Sequence, residues 1–230
     1  MPLELKDFLI TGRTYEEYAA FFDLDADDLR EKKVLDCPAG ASSFVIEARK
    51  KAVEAHACDV LYRFEKEEIR LQGLKSIEKI YQDVSWMEEN SFEFYGSIER
   101  HKSFRENALK RFCEDYNPIY YRYAQLPKLP YDDQTFDIVL SSHLLFVYDD
   151  RLDIHFHIES IREMLRIGRE VRIFPLIDFK NSRANEAKNL SPYAYAIAEI
   201  FGGEIIPVGF EFQKNGGYMM KIMNEKYRQV

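Results

Sequence analysis

The segment from 34 to Asp59 constrains the fold of this chain more than any other. Residues 34–37 (Val-Leu-Asp-Cys) form a short apolar run, which predicts a buried strand. The small residues of 38–43 predict a tight loop, with Ser42 or Ser43 as the N-cap of a helix over 44–51. A second strand over 52–58 ends at Asp59. This order of strand, loop, helix and strand predicts parallel strands.

The rest of the chain alternates in the same way. Strands are predicted over 119–123, 136–140 and 171–176, and helices over 152–167 and 192–201, with Gly168 as a helix stop. Residues 204–212 and 218–223 flank Asn215-Gly216-Gly217 and predict a closing hairpin. We therefore expect an α/β fold in a single domain, 1–230, with a doubly wound, mostly parallel sheet and an antiparallel C-terminal hairpin.

Two segments add helices to this plan. The N-terminal helical segment, 1–30, contains a helix after Thr14, with Glu17 at the capping-box position, and a second short helix over 25–30. The segment 62–117 is rich in charged residues with apolar residues at helical spacing, and predicts two or three helices. It leaves and re-enters the sheet at strand ends and is too long for a simple crossover. We expect a cap over a ligand cleft; a second packing layer or an oligomer interface is the alternative.

Charge and composition restrict the class of partner. The net charge of −8 and the pI of about 5.3 disfavour binding to nucleic acid, which depends on Lys and Arg neutralising phosphates. No apolar stretch approaches the roughly 20 residues that a membrane helix needs, and residues 1–13 do not resemble a signal peptide. We therefore expect a cytoplasmic protein without a membrane segment. The three cysteines are widely spaced, which argues against structural zinc or a disulfide framework.

Two acidic residues end the first two predicted strands. Asp59 lies 23 residues after Asp36, beyond the small-residue loop. A carboxylate at this edge of the sheet can accept two hydrogen bonds from a ribose diol, whereas the alternative is a surface aspartate that ends a strand. The loop beside it favours a nucleotide or nucleoside ligand.

Here the chain resembles class I S-adenosylmethionine (SAM)-dependent methyltransferases, in particular those with the "methyltransferase type 11" pattern. Residues 34–42 (VLDCPAGAS) stand where these enzymes carry an apolar pair, an acid and a GxGxG loop, and Asp59 stands at their ribose-binding acid. Residues 129–143 (LPYDDQTFDIVLSSH) resemble their LPF…SFDLVLSS segment, which is the more specific match. The opening residues 12–22 and the Cys-Pro-Ala-Gly loop resemble an uncharacterised bacterial subgroup of these enzymes.

The resemblance implies a seven-stranded Rossmann-like sheet, SAM as cofactor, and methyl transfer to a small or medium-sized acceptor. It also implies a set of cofactor-binding residues: Asp36, Cys37, Pro38, Ala39, Gly40, Asp59, Val60, Gln125, Leu126, Ser141 and Arg13. Within this set, Gln125 stands where many relatives have an aspartate that accepts from the adenine amine. Arg13 is expected to pair with the methionine carboxylate; the alternative is an exposed surface arginine.

The loop departs from the family pattern in ways that leave two alternatives. Pro38 and Ser42 replace two of the three glycines, and Pro38 also lacks an N–H. Such a loop cannot cradle a pyrophosphate, which counts against an NAD(P) oxidoreductase more than against SAM, a ligand without phosphate. A non-catalytic SAM-binding or regulatory protein is the other alternative.

Chemistry at the acceptor is predicted from few residues. A general base is needed only if the acceptor is protonated, and His143, just beyond the 136–142 strand, is the candidate; a structural or solvent-facing histidine is the alternative. The side chains of Asp149, Asp150, Asp153, His155 and His157 suggest a metal, but a solvated helix start is favoured, so we expect no metal site. Aromatic residues that line an acceptor pocket, or only pack the 62–117 segment, are Trp86, Phe92, Phe94 and Tyr95.

Overall fold

One sheet organises the part of the chain that the computed structural model describes, which is residues 9–27, 29–82, 90–178 and 187–227. Its strands are β1 (Lys33–Asp36), β2 (Glu54–Asp59), β3 (Tyr121–Tyr123), β4 (Phe136–Ser142), β5 (Gly168–Phe174), β6 (Glu204–Pro207) and β7 (Tyr218–Met223). The helices are α1 (Tyr15–Phe22), α2 (Phe44–Arg49), α3 (Lys66–Gln82), α4 (Ile98–Asp115), α5 (Ile154–Ile167) and α6 (Pro192–Phe201). Short 3₁₀ turns cover Val60–Arg63 and Glu225–Tyr227.

The strand order confirms the expected fold. The order is β3-β2-β1-β4-β5-β7-β6, in which the first five pair in parallel and β7 runs antiparallel to both β5 and β6. This is a doubly wound, mostly parallel, Rossmann-like sheet of seven strands with an antiparallel C-terminal hairpin. The order reverses between β1 and β4, and ligands of open α/β sheets bind beyond the strand ends at such a point.

Helices bury both faces of the sheet, because side chains alternate along each strand. In β1, Val34 joins a core formed with α1, α2 and α4, whereas Leu35 joins a second core formed with α5 and α6. Both side chains have no exposed surface. Burial on both faces explains why the strands read as continuous apolar runs in the sequence.

Several predicted boundaries are wrong for local physical reasons. The second strand begins at Glu54, since Ala52 has a left-handed backbone with φ of 62°. The predicted helix stop at Gly168 is confirmed, but the next strand begins at Gly168 and not at 171, because Gly168 is extended and serves as both helix cap and first residue of β5. Residues 25–30 form turns instead of a helix in their described part. Strand β6 ends at Pro207 and not at 212, because the residues beyond it leave the sheet and contact residues 90–91. There the Ser91 N–H donates to the Phe212 carbonyl at 2.7 Å.

The segment 62–117 contains two long helices within its described residues. Helix α4 leads into β3 and lies on the face covered by α2, so it occupies the place of the ordinary crossover helix. Helix α3 packs against α4 at Gly73, where an added Cβ would lie 2.8 Å from Leu109. Trp86 lies outside the described residues. Within the described residues, no helix combines the length and the apolar character that crossing a membrane requires.

Candidate functional site

The loop after β1 is tied to the ends of its neighbouring strands. The Cys37 N–H donates to the Leu140 carbonyl at 2.8 Å, and the Ala39 N–H donates to the Cys58 carbonyl at 3.1 Å. Pro38 and Gly40 are partly exposed, whereas Ala39 is buried. Gly40 has φ of 58°, and a Cβ added there would meet no protein atom within 4 Å. The loop is therefore tight, with open space over Gly40.

Asp59 joins this loop to the turn after β2. Its Oδ2 accepts from the Gly40 N–H and its Oδ1 from the Leu61 N–H, each at 2.8 Å. Burial raises the pKa of Asp59, and the backbone N–H groups of Leu61, Gly40 and Val60 partly offset that rise. A carboxylate offers about four acceptor positions, so about two remain for a further donor pair. Asp59 is thus both a structural cap and a possible acceptor for a diol.

Asp36 lies under the loop and not on its surface. Its side chain has no exposed surface, and the Tyr18 hydroxyl contacts both carboxylate oxygens, at 2.8 and 2.9 Å. Burial holds the pKa of Asp36 well above its usual value. Tyr62 supports the loop from the other side, since its hydroxyl donates to the Gly40 carbonyl at 2.8 Å. Neither tyrosine has a sequence signal for a site, and Tyr18 lies at helical spacing with the apolar Phe21 and Phe22.

The thiol of Cys37 is also enclosed. A hydrogen bond with Cys58 and burial raise the pKa of Cys37 well above its usual value. Both cysteines are free and 1% exposed. Buried, protonated thiols of this kind are inert, so Cys37 contributes its backbone and its volume to the loop.

The residues after β3 lie beside Asp59. The Ala124 N–H donates to the Asp59 carbonyl at 3.3 Å, which brings Gln125 and Leu126 to the same edge of the sheet. Gln125 is exposed, and its backbone carbonyl accepts from the Lys128 N–H at 3.0 Å. Leu126 is buried. This edge therefore offers an amide side chain next to an apolar one.

The end of β4 carries an unpaired hydroxyl and a neutral imidazole. The Oγ of Ser141 is fully buried and has no hydrogen-bond partner among the described residues. His143 has φ of 57°, and its Nδ1 lies 2.7 Å from the Ser142 hydroxyl. Burial, followed by the positive charges of Arg13 and Arg105, holds the pKa of His143 well below its usual value. At neutral pH this imidazole is uncharged and is a weak base.

Arg13 lies at the start of α1 and contacts the end of the loop. Its carbonyl accepts from the Ser43 N–H at 2.9 Å and from the Ser42 hydroxyl at 3.0 Å. Its side chain is 18% exposed, with Nη1 donating to Thr11 Oγ1 at 3.1 Å. Arg13 is therefore not a fully exposed surface arginine.

A buried ionic network connects α1 to α4. Glu17 and Arg105 form an ion pair with exposed side-chain fractions of 0% and 1%. The Tyr95 hydroxyl donates to Glu17 at 2.7 Å, and the ring of His101 packs against Tyr95 with centroids 4.5 Å apart. The hydroxyl of Tyr81 in turn lies 2.6 Å from His101 Nδ1. Of these residues, only Glu17 has a local sequence signal, its capping-box position after Thr14.

Aromatic contacts join the 90–97 segment to the edge of the sheet. The ring of Phe210 lies 5.0 Å from that of Phe94 and 5.8 Å from that of Phe174, the last residue of β5. Phe21 of α1 stacks on Phe174 at 4.6 Å and lies 5.3 Å from His143. The segment between α3 and α4 thus reaches the carboxyl end of β5 through Phe210.

The acidic and histidine residues near 149–157 support the fold locally. The Phe146 N–H donates to His157 Nε2 at 2.9 Å, while Nδ1 of the same ring lies 2.8 Å from the Asp153 carbonyl. Asp149 accepts from the hydroxyl of Ser191, the N-cap of α6. Among the described residues, no group of three or more His, Cys, Asp or Glu side chains has an arrangement that could hold a metal ion.

Comparison with solved structures gives distant similarities. A SAM-dependent methyltransferase from Aquifex aeolicus is 15% identical, with 90% of each chain covered and a TM-score of 0.38. The PH0226 protein from Pyrococcus horikoshii is 14% identical, with 85% of this chain and 83% of that chain covered and a TM-score of 0.44. Likenesses of this size say nothing about activity or ligand.

Comparison by sequence gives a nearer relative. No family model matches the chain. The relative comes from the archaeon Methanocaldococcus jannaschii, so it gives no support to the bacterial subgroup that the opening residues suggested. Over 224 residues, 33% are identical, and the alignment covers 96% of this chain and 98% of the relative. The chain therefore belongs to the family of the uncharacterized protein MJ0045 of Methanocaldococcus jannaschii.

Proposed function

We propose that the protein binds SAM at the Gly40–Asp59 junction and transfers its methyl group to a small or medium-sized acceptor. The observation that carries the proposal is this junction, at the point where the strand order reverses. The Asp59 carboxylate is fixed by two backbone N–H groups and keeps acceptor positions, beside open space over Gly40. A ribose diol needs such a pair of acceptor positions.

The surrounding residues fit an adenosyl ligand. Gly40 permits close approach of the backbone, and Cys37, Pro38 and Ala39 hold the loop that carries it. Val60, at the rim of the turn after β2, and Leu126, buried beside it, would flank the adenine, with the Gln125 amide as its polar partner. The buried Ser141 hydroxyl has an unused donor at the end of β4. Asp36 would act indirectly, by holding Tyr18 beneath the loop.

When bound, SAM supplies a methyl group on a positively charged sulfur, which is already a strong methyl donor. The protein's part is then to position the acceptor and exclude water. His143 is uncharged at neutral pH, so it is suited to accept a hydrogen bond from an acceptor hydroxyl or amine at its Nε2. Its lowered pKa makes it a poor general base. We therefore propose that His143 orients the acceptor and does not remove its proton.

The 62–117 segment is proposed to cap this cleft within a single domain of residues 1–230, in which α1 supplies the N-terminal helix. The support is its contact with the carboxyl end of β5 through Phe94 and Phe210. Hydrogen exchange with and without S-adenosylhomocysteine (SAH) tests the cap. Protection within 90–97 on binding supports it. Protection confined to the neighbourhood of Gly40 and Asp59 would assign the segment to packing alone.

Calorimetry with SAM, SAH and NAD tests the cofactor. We expect SAM and SAH to bind and NAD to give no signal, because the loop has no cradle for a pyrophosphate. Tight NAD binding without a SAM signal would refute the proposal and favour an NAD(P) oxidoreductase.

A non-catalytic SAM-binding or regulatory protein is the second candidate. The observation that favours it is the low basicity of His143, together with the Gly40 N–H already bonded to Asp59. The two candidates differ in turnover. SAM binding without SAH formation across a library of acceptors would support the regulatory protein, whereas SAH formation with any acceptor supports the enzyme.

A further inference from the structure

The acceptor capacity of Glu17 is fully used. Its Oε2 accepts from the Thr14 N–H at 2.8 Å and from the Thr14 hydroxyl at 3.1 Å. Its Oε1 accepts from the Tyr95 hydroxyl at 2.7 Å and from the Arg105 guanidinium. A carboxylate has about four acceptor positions, and these four donors fill them. The single negative charge is thereby assigned to Arg105.

Arg13 and Arg105 share the single carboxylate of this cluster, so one of the two positive charges is unmatched. Its Nε lies 3.9 Å from Glu17 Oε1, which is beyond hydrogen-bond distance. Its Nη1 donates to neutral oxygens of Thr11 and Gly12, at 3.1 and 3.3 Å. Its Nη2 has no hydrogen-bond partner among the described residues. A guanidinium that is 18% exposed therefore retains donors and an unmatched charge.

The surroundings of this guanidinium come from the cap and from the acceptor end of the cleft. Its positive charge lowers the pKa of His143, at the end of β4, and of His101 in α4. It also opposes the burial effect that raises the pKa of Tyr95 and of Tyr148. Glu17 Oε1, which lies 3.9 Å from Arg13 Nε, also accepts from Tyr95 and from Arg105 of α4, so the guanidinium lies beside the cap.

We infer that Arg13 binds a negatively charged group, a carboxylate or phosphate, on the methyl acceptor. The inference rests on the proposed function and names its substrate class. Bound SAM carries a sulfonium and an ammonium against one carboxylate, so it adds positive charge to a cleft that already holds an unmatched guanidinium. An anionic acceptor would compensate this charge, whereas a cationic acceptor would be repelled.

The anion that binds Arg13 could come from the acceptor or from SAM, because SAM itself carries a carboxylate. Four probes separate these two sources. Benzoate and neutral benzamide have the same shape and report on the anion site, and NMR titration measures their affinity with and without SAH. SAH and 5′-methylthioadenosine share the adenosyl group, but the latter lacks the amino-acid carboxylate. The variants are Arg13→Gln and Arg13→Lys, with Arg162→Gln as the control, since Arg162 is 60% exposed on α5.

We expect the wild type to bind benzoate at least about tenfold more tightly than benzamide, the effect of one charge-assisted hydrogen bond or more. Arg13→Gln should abolish that preference, Arg13→Lys should keep much of it, and Arg162→Gln should keep all of it. SAH affinity should stay within about threefold in Arg13→Gln. Bound benzoate, unlike benzamide, should also raise the pKa of His143 in the wild type, which provides a measurement that needs no variant.

Two results would overturn the inference. One is equal binding of benzoate and benzamide by the wild type. The other is a loss of SAH affinity in Arg13→Gln with unchanged affinity for 5′-methylthioadenosine, which would assign the guanidinium to the cofactor. Failure of the proposed function looks different. In that case the wild type binds neither SAM nor SAH, yet keeps an Arg13-dependent preference for benzoate, and the anion site stands.

Discussion

Glu17→Gln removes the one carboxylate that compensates Arg105. The amide keeps the size of the side chain but has only one acceptor oxygen, so at least two of the four donors to Glu17 lose their partner. Arg105 is 1% exposed and would be left as a buried cation. Breaking a buried pair on one side costs about 3–5 kcal/mol, whereas loss of a capping interaction alone costs about 1 kcal/mol.

Urea unfolding at pH 7 measures this cost. We expect the free energy of unfolding to fall by about 3–5 kcal/mol with an unchanged m-value, a large part of the roughly 5–15 kcal/mol typical of a domain. The matched control is Glu16→Gln on the same helix turn, where the side chain is exposed. That control should stay within about 0.5 kcal/mol of the wild type.

The double variant Glu17→Gln/Arg105→Met tests the mechanism. It removes the buried cation together with its partner. Its loss in free energy of unfolding should therefore be smaller, by at least about 1 kcal/mol, than the summed losses of the two single variants. Two results would refute the reasoning. One is a Glu17→Gln cost no larger than that of Glu16→Gln, and the other is strict additivity of the two single changes.

Three further predictions follow from other buried groups. Asp59→Asn should lower the free energy of unfolding by about 1–3 kcal/mol and abolish SAH binding in calorimetry, because the amide has one acceptor oxygen and cannot serve both the Gly40 and the Leu61 N–H groups, so its NH2 group takes the place of an acceptor. Asp36→Asn should stabilise the protein at pH 8 by on the order of 1 kcal/mol in thermal unfolding, because burial disfavours the Asp36 anion. Burial, followed by the charge of Arg13, lowers the pKa of His101 to about 3, so the folded state resists its protonation. As the pH drops from about 6.5 towards 3, this group should therefore lower stability by up to about 1.4 kcal/mol per unit, so in urea titrations His101→Gln should lose stability less steeply over this window than the wild type, whereas the exposed control His155→Gln should match the wild type.

The sheet could be predicted because its signals are local. The apolar run at 34–37 and the spacing to Asp59 placed β1, the loop and β2 side by side, as the register of Asp36 with Ala57 confirms. Boundaries were missed where one residue serves two elements. Gly168 is typical of a helix end, yet its extended backbone also makes it the first residue of β5.

The ionic and aromatic parts of the candidate site could not be predicted because their partners are far apart in sequence. Arg105 meets Glu17 across 88 residues, and neither its helical position nor its charge distinguishes it from the exposed arginines of the same helix. Phe210 has the pattern of a strand residue, but it packs between Phe94 and Phe174. Such contacts depend on how α4 and the hairpin dock, which hydrophobic periodicity does not encode.

Gly40→Ala separates a structural role of the loop from a ligand-binding one. The left-handed backbone at φ of 58° disfavours alanine, so stability should fall by about 1–2 kcal/mol. The new methyl group meets no protein atom within 4 Å, so strain from packing adds nothing to that cost. The methyl would instead occupy the open space in which the proposed ligand approaches the backbone, and SAH affinity should fall at least about tenfold.

Gly209→Ala is the control, because its added Cβ also meets nothing within 4 Å and its φ is not positive. It should leave both thermal stability and SAH affinity nearly unchanged. If Gly40→Ala lost stability but bound SAH within twofold of the wild type in calorimetry, the open space over Gly40 would not be the ligand's position.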